Sequence, residues 1–155
     1  MQTIRRVSRL IVLTATMLVT AATAAADPGA PFATGGFQGA LAGGANQNIA
    51  FTAHQTPAGD VVGQLTETIV VNGVVSRLRG DVVCLAVSGT TAAIGFVVLE
   101  STGILTTYTV GSTHSLIVKD SDAGDTFAFI AAECTTAVTV EPPFPIEHGN
   151  IIVRG

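Results

Sequence analysis

Residues 62–71 read VGQLTETIVV, and residues 74–80 read VVSRLRG, with only Asn72-Gly73 between them. Both turn residues tolerate positive φ, so this is the best hairpin signal in the chain. In the first arm Leu65, Ile69 and Val71 share one face at period two, with Glu67 as an interruption. Two further stretches follow, VVCLAVS at 82–88 and AAIGFVVL at 92–99, and they are apolar on both faces. Such strands belong in the middle of a sandwich or barrel.

The same texture extends in both directions. Strand candidates are 37–42, 47–55, 62–71, 74–80, 82–88, 92–99, 104–110, 114–119, 126–133, 135–140 and 149–154. In 47–55, Ile49, Phe51 and Ala53 alternate with Ala50, Thr52 and His54. No helical stripe follows residue 26, and no repeat or domain boundary falls within 36–155. About ten short strands at close spacing predict a single antiparallel β-sandwich. Residues 27–35, beginning DPGAPFAT, read as a flexible lead-in.

Before that lies an address. Arg5, Arg6 and Arg9 precede the apolar run LIVLTATMLV at 10–19, and the small residues Ala24, Ala25 and Ala26 precede Asp27-Pro28. A positive region, a short apolar core and small residues before a cut describe a signal peptide, residues 1–26, cleaved between Ala26 and Asp27. Val7-Ser8-Arg9 fits the twin-arginine motif poorly, so general secretion is the expected route, and the Ala-rich signal suggests a bacterium. The mature chain holds no second apolar run of membrane-spanning length, so a secreted protein without a membrane span is expected.

The whole chain of 155 residues has room for one domain. Hydrophobic residues make up 48% and charged residues 12%, which excludes a disordered polyelectrolyte. The net charge is −4; with the three N-terminal arginines removed, four basic against eleven acidic side chains leave −7. That balance, with no Trp and one Tyr, disfavours binding to nucleic acid.

Short motifs recur in a suggestive order. Phe51-Thr52-Ala53-His54 is followed by Gly63-Gln64-Leu65, Val82-Val83-Cys84-Leu85 and Ala92-Ala93-Ile94-Gly95-Phe96. Ile117-Val118-Lys119-Asp120, Gly124-Asp125-Thr126-Phe127 and Gly149-Asn150-Ile151-Ile152-Val153 complete the series. This order resembles secreted bacterial β-sandwich proteins of the post-COAP domain type over most of 37–153. The resemblance implies an exported sandwich and no particular reaction. The family's Asp-Asn-Gly is replaced here by Asp120-Ser121-Asp122.

Chemistry-bearing residues are few. Asp120, Asp122 and Asp125 lie within six residues at a Gly turn and offer oxygens to calcium, although the spacing departs from the EF-hand loop. The competing reading is a turn whose Asp side chains bond their own backbone. His54, His114 and His148 are isolated and lack the local spacing of a zinc or copper site. No nucleophile elbow surrounds Ser88 or Ser101. Glu67, Glu100 and Glu133 are carboxylates available to glycosidase chemistry, but carboxylates on strands usually face water. The proline-rich run Glu141 to Pro145 reads as a rigid loop before the last strand.

Cys84 and Cys134 are the two cysteines. In an oxidising compartment an even number is expected to pair, so a disulfide is predicted, with two buried free thiols as the other reading. The expected function is a non-catalytic binding or cell-envelope interaction module of unknown ligand. The alternative is a small extracellular hydrolase or metalloenzyme with a site on the sandwich loops.

Overall fold

A computed structural model of the chain describes residues 29–41 and 45–155. The signal segment and its Ala26/Asp27 cleavage site lie outside the described residues. The strands are β1 (Phe32–Leu41), β2 (Ala45–Gln55), β3 (Val61–Val71), β4 (Val74–Ser88), β5 (Thr91–Ser101), β6 (Thr113–Lys119), β7 (Thr126–Ile130) and β8 (Phe144–Arg154). A 3-10 turn, Gly103–Thr107, follows β5, and a four-residue helix α1, Cys134–Ala137, follows β7. The hairpin at Asn72-Gly73 forms as the sequence predicts, with φ of 50° and 77°.

Each strand pairs antiparallel with its neighbour in the chain, and β1 pairs with β8 from Phe32↔Arg154 to Gly39↔Ile146. That last ladder closes an eight-stranded barrel, which corrects the expected sandwich of about ten strands. Inward-outward alternation looks the same in a sandwich and in a barrel; what separates them is whether the first and last strands meet. Residues 32–35, read as lead-in, are the start of β1, and Phe32 pairs with both His54 and Arg154. Closure leaves no free sheet edge along this ladder.

Strand number falls for identifiable reasons. The candidates 74–80 and 82–88 are one continuous strand, β4, that passes through Gly80-Asp81 with register shifts at Arg79/Gly80 and Val82/Cys84. Residues 104–110 carry the 3-10 turn, and residues 135–140 fall mostly in α1 and its exit. The barrel interior is packed by side chains such as Phe37, Phe51, Leu65, Ile94, Phe96 and Phe127. Eight strands leave an interior just wide enough for side chains to fill.

The two-sided apolar strands have a second explanation. The inner face of β5 (Ala92, Ile94, Phe96, Val98) lines the barrel. On its outer face Ala93, with Ile117 of β6, lies under Cys134 and Ala137 of α1. The bulge at Val82–Cys84 switches parity, so Leu85 and Val87 point inward while Cys84 and Ala86 join this outer cluster. Cys84 and Cys134 stand at disulfide distance there, with Cα atoms 6.3 Å apart. The bridge crosses directly over Gly95. A Cβ at that position would lie 2.7 Å from the Cys134 sulfur and closer still to that of Cys84, so only glycine fits beneath it. A buried bridge of this kind fits an oxidising compartment.

Candidate functional site

Glu67 keeps the inward parity of Leu65 and Ile69, so β3 carries a carboxyl into the barrel, where it is 2% exposed. Its partner across the ladder is Ile49 of β2, and Gln47, on the same face of β2, is equally buried. Gln47 Nε2 donates a hydrogen bond to Glu67 Oε1. The remaining oxygens, Gln47 Oε1 and Glu67 Oε2, are buried without a hydrogen-bond partner. Burial raises the Glu67 pKa from 4.5 to about 7, against the lowering effect of the Gln47 hydrogen bond.

Both side chains line a cavity of about 240 Å³ at one end of the barrel. Its walls are apolar: Ile69 from β3, Leu105 from the 3-10 turn, Phe127 and Phe129 from β7, and Phe144 from β8. Phe144 is half exposed. Tyr108 also lines the cavity, and burial together with the Glu67 charge pushes its phenol up to about 12. Its ring stacks edge-on against His114 at 4.7 Å and against Phe129 at 6.1 Å. His114 contacts Ser112 Oγ at 2.9 Å through Nε2, and burial lowers its pKa.

The wall made by residues 101–108 is held by β4. Thr102 N–H donates to Arg77 O at 2.9 Å, and Ile104 N–H donates to the fully buried Ser76 Oγ at 2.9 Å. Ser101 Oγ donates to Leu105 O, and Tyr108 N–H to Leu105 O at 2.9 Å. These bonds satisfy residues 102–108, which follow the end of β5 and have no ladder partner of their own, and Leu105 and Tyr108 line the cavity. Larger grooves of about 420 Å³ lie beside His148 and, among the β4–β5 and β6–β7 connections, beside Asp120 and Asp122. Neither is lined by an orphaned buried polar atom.

The residues singled out from sequence are scattered. Asp120, Asp122 and Asp125 sit in the β6–β7 connection at the opposite end of the barrel from the cavity. Asp125 Oδ1 accepts from Ser121 N–H at 3.1 Å, as in the turn reading. Asp125 Oδ2 accepts from Ile151 N–H at 3.4 Å, and Asp120 Oδ2 from Val153 N–H at 3.3 Å. Asp122 is exposed. Among the described residues no three His, Cys, Asp or Glu side chains gather in a metal-holding group. His54 and His148 are exposed, as are Glu100 and Glu133. The residues that do converge, Gln47, Glu67 and Tyr108, include one, Glu67, that the sequence marked as an interruption of an apolar face and as an available carboxylate. Gln47 carried the same signal, a polar side chain in phase with Ile49, Phe51 and Ala53. Compared with protein-family models, curated proteins and solved structures, the chain matches none.

Proposed function

We propose that the chain is a secreted, non-catalytic binding barrel that holds a small, largely apolar ligand in the cavity floored by Gln47 and Glu67. The observation that carries this reading is the pair of buried, unpartnered oxygens on two side chains that line an apolar cavity. Buried polar groups are normally satisfied, and each orphan costs about 1–3 kcal/mol. A few polar groups in an otherwise apolar concavity are what orient a ligand. At about 240 Å³ the space suits a ligand below ordinary drug size.

Other features support the same reading. Among the described lining residues there is one carboxyl and no Ser, Cys, Lys or His, so neither a nucleophile–base pair nor a two-carboxylate pair is assembled. The barrel is apolar inside, while Gln64, Thr66, Arg77 and Arg79 face outward. A transmembrane barrel carries a continuous apolar band outside, and here polar and charged side chains interrupt the exposed Val62, Val70, Val83 and Leu99. The disulfide pair fits export to an oxidising compartment.

Saturation-transfer NMR with toluene, combined with amide shift mapping, tests the cavity. Toluene should perturb Gln47, Ile69 and Phe129, and Leu105→Trp, which fills the space, should abolish the effect. Perturbation confined to the outer face, or none at millimolar toluene, would overturn the reading.

A further inference from the structure

We infer that the ligand of this cavity is a small protonated amine on an aromatic or branched apolar body, its ammonium seated between Glu67 Oε2 and Gln47 Oε1. This rests on the binding-barrel reading above and names its ligand class.

The inference follows from donor and acceptor counting. Gln47 Nε2 has spent one of its two N–H donors on Glu67 Oε1, and the two side-chain atoms left without any partner are both oxygens. With Glu67 ionised, both can only accept. An ammonium carries several N–H donors on one centre and so can serve more than one acceptor. A carboxylate or phosphate ligand would instead face the Glu67 charge, with only the second Gln47 N–H as a donor. A ligand carbonyl would accept the second Gln47 N–H, or the proton of a neutral Glu67, and would leave Gln47 Oε1 unpartnered.

Charge points the same way. Across the ladders Glu67 faces Ile49 of β2 and Leu78 of β4. The 3-10 segment contributes Leu105 and Tyr108, β7 contributes Phe127 and Phe129, and β8 contributes Phe144. The titratable neighbour among them is the phenol of Tyr108, and no Lys, Arg or His is among the described lining residues. A buried carboxylate needs a counter-charge. Nothing among those lining residues supplies one, so Glu67 is neutral while it holds its proton below about pH 7, and above that a ligand cation supplies the counter-charge. The walls suit the rest of such a molecule. Tyr108, Phe127, Phe129 and Phe144 offer ring faces to a cation and apolar surface to its body.

Isothermal titration of the mature chain with 2-phenylethylamine and with 2-phenylethanol decides the matter, because the two differ in the amine alone. At about pH 8, above the Glu67 titration near 7, the amine should bind at least roughly tenfold tighter than the alcohol. Glu67→Gln should bring the amine to the level of the alcohol and leave the alcohol within about twofold. Lowering the pH to about 5.5 should weaken the amine by roughly tenfold or more and leave the alcohol unchanged. This pH arm keeps the test valid if the Glu67→Gln chain does not fold. Equal binding of amine and alcohol to the wild-type cavity would overturn the amine assignment and leave the binding-barrel reading standing. Binding of neither compound, with toluene also failing, would overturn both.

Discussion

Gln47 and Glu67 face each other inside the barrel from adjacent strands, joined by one hydrogen bond and each left with an oxygen that bonds to nothing. The pair costs stability where it stands, so its energetic signature is measurable without a ligand. Native Glu67 holds its proton to about pH 7, whereas the unfolded group releases it near 4.5. Between those values the native state binds more protons than the unfolded state, so stability falls as pH rises. The contribution is fully present below about pH 4.5 and is lost through about pH 7. The loss amounts to about 3 kcal/mol. Urea denaturation across pH 4 to 8 should show this decline in the wild type relative to Glu67→Gln. Parallel pH profiles for the two chains would remove the raised pKa from the account.

The Cys84–Cys134 bridge should be the largest single prop of the fold. It spans 50 residues of sequence and ties α1 to β4 over the outer face of β5. The chain-entropy estimate for such a loop is roughly 4 kcal/mol, within the usual 2–5 kcal/mol lost on removing a native bridge. Cys84→Ala with Cys134→Ala should lower the urea-derived stability by that amount. Secreted protein denatured without reductant should take up no thiol label. Two labels per chain would refute both the bridge and the oxidising compartment.

All-β content, the Asn72-Gly73 hairpin and the pairing of the two cysteines were legible because each depends on local pattern or on composition. Barrel closure was not. It rests on Phe32 to Gly39 meeting β8 across the length of the chain, and no local window contains that contact. Residues 104–110 and 135–140 misled because their Val, Ile and Thr content matches strand preference. One is pinned by Ser76 into a 3-10 turn, and the other is drawn into a helix at the disulfide. Tyr108 was hidden in the first of these. Glu67 was visible as a break in an apolar face. Parity with Leu65 and Ile69 placed it inside, and the habit of strand carboxylates to face water hid that meaning.

Gly95 and the bridge should be energetically coupled. A Cβ on Gly95 would come within 2.7 Å of the Cys134 sulfur, so Gly95→Ala must displace the bridge, α1 or both. Overpacking of this kind typically costs about 1–3 kcal/mol. In a chain that already carries Cys84→Ala and Cys134→Ala the sulfurs are gone and the penalty should shrink. A double-mutant cycle reads the difference, expected at roughly 0.5–3 kcal/mol for groups in contact. Additivity of the substitutions would mean that the bridge does not rest on Gly95.

The weakest seam of the barrel is β7–β8, and Asp125 should be what holds it. β7 has five residues, and its ladder to β8 comprises Thr126↔Pro145 and Phe127↔Phe144 alone. Further along β8, Ile151 and Val153 turn their N–H groups to Asp125 Oδ2 and Asp120 Oδ2 in place of a strand. Asp125 Oδ1 also accepts from Ser121 N–H, so one carboxylate ties the connection to β8. Hydrogen bonds to a charged acceptor contribute about 1.5–3 kcal/mol, and Asp125→Ala should cost that order. Asp122 is exposed and makes no such tie, so Asp122→Ala should stay within about 0.5 kcal/mol. Hydrogen exchange should then quicken at the Ile151 amide in Asp125→Ala and at the Val153 amide in Asp120→Ala, with β3 and β5 unaffected. Unchanged protection at both amides would show that the seam closes without the carboxylates. A larger loss in Asp122→Ala than in Asp125→Ala would reverse the roles assigned to these acids.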